Sequence, residues 1–169
     1  MAGQDVEPWL RGTLTEMAVV PRGVLHALEL AQEDVTKWCG GLTDGELNER
    51  PLGLPPVAFQ LRHIARSVDR LLTYAEGEQL SSEQIAGLKS EMEEAATRET
   101  LFAEFSTAIA RSTERVRVLG AVDLEQPRGV GKKQLPTSVG GLLIHVADHT
   151  QRHVGQAITT AKVLVAQRS

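Results

Sequence analysis

Residues 57–75, VAFQLRHIARSVDRLLTYA, decide how the rest of the chain is read. Val57, Leu61, Ile64, Ala65, Val68, Leu71, Leu72 and Ala75 recur at steps of three and four, which collects them on one face of a helix. Arg62, Arg66, Asp69 and Arg70 fall opposite. A helix with one apolar stripe must bury it against something, so the remaining sequence is read for partners.

Three further segments supply them. Residues 21–38 open on Pro21, which suits a first helical turn, and repeat Val24, Leu25, Leu28, Ala31, Val35 and Trp38 before Gly40 and Gly41 stop the helix. Residues 98–119 turn Leu101, Phe102, Phe105, Ile109, Val116 and Leu119 inward. A fourth helix opens after Pro136, with Thr137 or Ser138 as N-cap, and runs to residue 166 on Val139, Leu142, Leu143, Val146, Val154, Ala157, Ala161 and Leu164. Between them, LTDGELNERPLGLPP reads as a connection with a turn at DGEL. Ser81 to Gln84 reads as a capping box opening a short helix, and residues 120–138 as a long connection with a tight turn in RGVGKK. With no internal repeat and no sustained strand alternation, the expected fold is all-α, a four-helix bundle with long crossover connections. Residues 1–20, interrupted by Pro8 and Gly12, are expected to form an N-terminal arm with a short helix, anchored by Trp9. Residues 21–169 are expected to form a single domain.

Composition narrows the function classes. A formal charge of −4 gives no cationic surplus for a phosphate backbone, so nucleic acid is not expected as a partner. No apolar run approaches the ~20 residues of a membrane span, and MAGQDVEPWL lacks the order of a signal peptide, so a cytoplasmic protein is expected. Cys39 is the single cysteine, which rules out an intramolecular disulfide; in WCGG it sits at a helix end and reads as structural rather than reactive.

The histidines carry the chemistry. In HTQRHVGQ, residues 149–156, two of the five stand four apart, and His145 precedes them by four more. On the wheel of the fourth helix, His153 lies roughly 50° from the apolar centre, His149 about 90° and His145 about 130°. Residues i and i+4 are about 6 Å apart along the axis, so both imidazoles reach one ion, whereas i and i+8 are about 12 Å apart and do not. The inward pair is therefore His149 with His153. From spacing alone, two readings stand side by side: core histidines bonded to carbonyls or carboxylates, and a metal site. A third ligand belongs on a facing helix, where His63 sits in a polar margin with Gln60, Ser67 and Tyr74; taken alone it reads as a boundary residue. His26 shares a face with Arg22, Glu29 and Glu33 and reads as solvated. Asp148 faces away from the apolar centre and does not read as a base. Gly155, also away from the core, leaves room for a close neighbour, either the arm or a second subunit.

FQLRHIARSVDRLLTY in the second helix and GLLIHVADHTQRHVGQAI in the fourth, in that order and separation, resemble the DinB/YfiT-like superfamily over residues 21–165. The resemblance implies a four-helix bundle, often a homodimer. It also implies a metal ion held by one histidine of the second helix and a His-x-x-x-His pair of the fourth, here His63, His149 and His153, with Gly155-Gln156 matching a frequent GQ. His145 leaves a shifted pair, His145 with His149, open. Three neutral imidazoles suit Zn²⁺ or Ni²⁺ and leave a position for water or substrate. The resemblance favours a small-molecule transferase using a low-molecular-weight thiol; a hydrolase with metal-activated water and a non-catalytic, stress-related binding module are the alternatives. Arg128, Lys132 and Lys133 read either as a solvated loop or as partners for the carboxylates of such a thiol.

Overall fold

The computed structural model describes residues 6–92 and 95–168. Helices α1 (Val19–Cys39), α2 (Asp44–Asn48), α3 (Val57–Ala75), α4 (Ser82–Ser90), α5 (Arg98–Leu119) and α6 (Val139–Ala166) are joined by short 3₁₀ turns at Pro8–Leu10 and Pro51–Gly53. A hairpin of β1 (Pro127–Val130) and β2 (Leu135–Ser138) precedes α6. The fold is mostly helical, as the periodicity implies. Four long helices share the core: α6 packs on α1 and α3, and α5 packs on α3 and α1. Their stripes meet in one cluster around Leu28, Leu61, Ile64, Phe105 and Leu143, all fully buried. Burying each such side chain is worth about 1.5–3 kcal/mol, several times what helix propensity differences offer per residue, so packing rather than propensity sets the assembly. No helix among the described residues is long and apolar enough to cross a membrane.

Local signals behave as their chemistry dictates. Ser138 caps α6 by accepting from the Gly141 amide, and Ser81 with Gln84 closes a reciprocal capping box on α4. DGEL is more than a turn: Thr43 and Glu46 form a second capping box, which makes residues 44–48 a short helix.

Six expectations are corrected. The connection before α6 is not irregular throughout but pairs antiparallel, Pro127 opposite Ser138 and Val130 opposite Leu135; four-residue strands are too short to show alternation in sequence. Its turn contains Gly131 and Gln134, both at positive φ. Arg128 does not wait for a ligand: it donates to the Ala75 carbonyl at 2.7 Å and pins the hairpin to the end of α3. Trp9 does not anchor the arm, being 61% exposed; the work falls to Arg11, whose guanidinium bridges Glu29 and Glu33 at 2.9 and 2.7 Å. That crossing covers His26, which is buried and pairs with Thr13 Oγ1 at 3.1 Å rather than facing solvent. Trp38 stands at the edge of the core with Lys162 Nζ 4.2 Å from its ring, and Cys39 takes the buried place. Finally, Arg62 and Arg70, expected on the open face of α3, are buried beneath residues 82–92.

Candidate metal centre

His63 comes from the middle of α3, and His149 and His153 from successive turns of α6, two helices that pack closely. Their rings converge: centroids are 5.0 Å apart for His63 and His149, and 4.5 Å for both His63–His153 and His149–His153. Each ring offers one nitrogen such that the three lie within 4.8 Å of one another. All three side chains are half-buried. His145 points elsewhere, exposed on α6 with Nδ1 3.7 Å from Asp148, and touches the group only through an edge contact to His149. Asp148 is exposed and paired to Arg152 at 2.7 Å.

Two partners orient the cluster. The Nδ1–H of His63 donates to Glu91 Oε2 at 2.6 Å, and the Nδ1–H of His153 donates to Gln60 Oε1 at 2.7 Å. A proton fixed on Nδ1 leaves Nε2 with its lone pair, the form that ligates a metal. Glu91 is gripped in turn by Arg70, Nη1 to Oε1 at 2.7 Å, and Arg62 donates to its backbone carbonyl at 2.7 Å. Gln60 is fully buried.

The electrostatics favour neutral rings at His149 and His153. Burial first, then the neighbouring His153 and His63, pushes His149 down to about 4; burial first, then His63, does the same to His153. Burial alone would raise the Glu91 carboxyl, but the hydrogen bonds from His63 and Arg70 outweigh it and hold the group below its ordinary range.

These residues fit a divalent ion. The Nε2 atoms of His63 and His149 are 3.2 Å apart. Two nitrogens each 2.0–2.1 Å from one Zn²⁺ would lie about 2.8–3.0 Å apart in octahedral and about 3.3–3.4 Å apart in tetrahedral geometry, values that bracket this distance. Nδ1 of His149 is buried with no hydrogen-bond partner, so no protein contact there dictates which nitrogen of that ring carries its proton.

Sequence reasoning missed both orienting partners. Gln60 was visible one turn before His63 on the same margin, but nothing marked it as an acceptor. Glu91 lies 28 residues beyond His63 in an acidic run without helical period. A cleft of about 1200 Å³ between α3, α4 and α5 is lined by Arg66, Arg70, Arg111 and Arg115 among others and by none of the three histidines.

Residues 27–157 match the model of the DinB superfamily, well over half of the chain, and the chain belongs to that superfamily. The matched span contains all three histidines. No curated protein matches the chain.

Proposed function

We propose that this DinB-superfamily chain is a divalent-metal protein in which His63, His149 and His153 hold Zn²⁺ or Ni²⁺, and that it is a metal-dependent transferase acting on a low-molecular-weight thiol. The observation that carries this reading is the convergence of three imidazoles with Nδ1–H fixed on two of them by Glu91 and Gln60. When bound, the ion supplies Lewis acidity that holds a thiol as thiolate or lowers the pKa of a water. The protein's share is to keep the His149 and His153 rings neutral, to aim the lone pairs, and to leave part of the coordination sphere to a small molecule. Three ligands do that.

The thiol reading is preferred to hydrolysis because of the surroundings. Asp148, the acidic residue nearest the pair in sequence, is turned to solvent and held by Arg152, and Glu91 is engaged by His63 and Arg70. Neither carboxylate is placed to serve as a base for attacking water. A thiol, with an ordinary pKa of about 8.5 against about 15.7 for water, needs less help from the ion to be held deprotonated where no base is at hand.

The test loads the purified chain with Zn²⁺ or Ni²⁺ and follows loss of free thiol with a panel of small thiols and electrophiles. Metal-dependent turnover that disappears in His149→Ala/His153→Ala supports the transferase. Ester hydrolysis needing metal but no thiol would move the assignment to a hydrolase, and tight metal binding without turnover across the panel to a binding module.

A further inference from the structure

Helix α4 buries none of its nine residues, and Ile85 and Leu88 remain 41% and 51% exposed. It rests on α3 by polar contacts: Gln84 Nε2 donates to Asp69 and Thr73, and Arg66 Nη1 donates to the Gly87 carbonyl and Ser90 Oγ at 3.1 and 3.2 Å. Contacts of this kind at a surface hold a segment only weakly, and the open cleft of about 1200 Å³ beneath supplies no compensating packing. The next residue behaves differently. Glu91 is 3% exposed and meets three residues of α3: Arg62 through its carbonyl, His63 through Oε2 and Arg70 through Oε1.

We infer that Glu91 is a positioning residue for the metal centre, and that through it ion binding at His63 is coupled to docking of residues 82–91 on α3. With Glu91 seated, the His63 proton stays on Nδ1 and the Nε2 lone pair faces His149. With the segment lifted, Glu91 is hydrated, Arg70 loses its carboxylate and His63 is free to place its proton on Nε2, the form that cannot ligate there. The docked segment therefore selects the ligating ring. By linkage, an ion that binds the docked form better favours docking by the same factor. The inference rests on the metal reading above and adds a part of the chain outside the ligand set.

The experiment uses Zn²⁺ as probe on the full chain. In wild type, Zn²⁺ slows amide exchange across residues 82–91. Glu91→Leu lowers zinc affinity, measured against a competing chelator, by about 10–100-fold and abolishes the slowing. Glu91→Gln, whose amide oxygen still accepts from Nδ1–H, retains more of the affinity. Ring ¹⁵N spectra of metal-free wild type place the His63 proton on Nδ1 without any variant, which keeps the question decidable even where Glu91→Leu fails to fold. Exchange indifferent to zinc overturns the coupling. Unchanged affinity in Glu91→Leu, or a wild-type His63 protonated at Nε2, overturns the positioning role. Failure of wild type to bind zinc removes the metal reading and the coupling with it, while the ring spectra still judge the Glu91–His63 link.

Discussion

Nε2 of His63 and Nε2 of His149 face each other at 3.2 Å although 86 residues separate them in the chain. The Glu91 contact commits the His63 proton to the far side of its ring, so the short Nε2–Nε2 approach is bridged in metal-free protein by the His149 proton on Nε2, and in loaded protein by a cation that displaces it. Such a cation, shared with His153, engages all three rings at once.

The ligand set is therefore expected to be selective. Elemental analysis of dialysed protein should find about one divalent ion per chain in wild type, with binding weakened at least tenfold by His63→Ala, His149→Ala or His153→Ala. His145→Ala should bind as wild type, because His145 faces Asp148 on the open side of α6. The reverse pattern, with His145 required and His153 dispensable, would shift the pair one step toward the N-terminus.

Metal-free protein should lose stability on mild acidification. His149 and His153 ionise near 4 in the folded state against an ordinary 6.5, so between those values the unfolded chain takes up protons that the folded chain refuses. The stability they contribute is complete above pH 6.5 and declines as pH falls toward 4. Glu46, held down to about 2 first by Arg168 and then by the Thr43 amide, acts only in more acid solution. In chelator, the unfolding temperature of wild type should fall between pH 7 and 5 more steeply than that of His149→Ala/His153→Ala. Parallel curves would contradict the assignment.

Cys39 should be inert in the native protein. Burial, reinforced by Asp34, pushes its thiol up to about 12, so at pH 8 the thiolate fraction is on the order of one in ten thousand. A thiol reagent should leave Cys39 untouched over minutes under native conditions and titrate one thiol per chain in denaturant. Rapid native reaction would mean that the end of α1 opens readily.

What could be read from sequence follows from the range of the interactions. Helices α3, α5 and α6 and the caps at Ser81 and Ser138 depend on residues within a few positions of one another, and the structure has them where spacing and capping chemistry put them. The all-α class follows from the same stripes. His149 and His153 share this legibility because i and i+4 are neighbours on any helix; His63 needed a family resemblance, since its wheel position alone marks only a margin. What was misread depends on segments crossing a helix face. Arg11 and Thr13 turn the polar side of α1 into a covered surface and bury His26, and residues 82–92 do the same to Arg62 and Arg70. A polar stripe records that a face is hydrophilic, and leaves unsaid whether water or another part of the chain supplies the hydrogen bonds.

Two glycines should respond to alanine with opposite signs. At Gly120, which ends α5, a Cβ would stand 2.6 and 2.9 Å from Pro21 Cβ and Cγ and 3.1 Å from the Val116 carbonyl oxygen. Pro21 is buried in the first turn of α1 and its ring has no rotamer by which to yield, so α1 and α5 must separate. Gly120→Ala should destabilise by about 1–3 kcal/mol, the cost of overpacking a filled contact. Gly155 lies inside α6 on its exposed side, with nothing among the described residues within 4 Å of a Cβ. Gly155→Ala should stabilise by about 0.4–1 kcal/mol through a less flexible unfolded chain and better helix propensity. Urea midpoints of the two variants, taken in chelator so that the metal site does not contribute, should bracket wild type. A destabilised Gly155→Ala would instead reveal a neighbour packed on that face, and the same measurement repeated over a range of protein concentrations would identify it as a second copy of the chain.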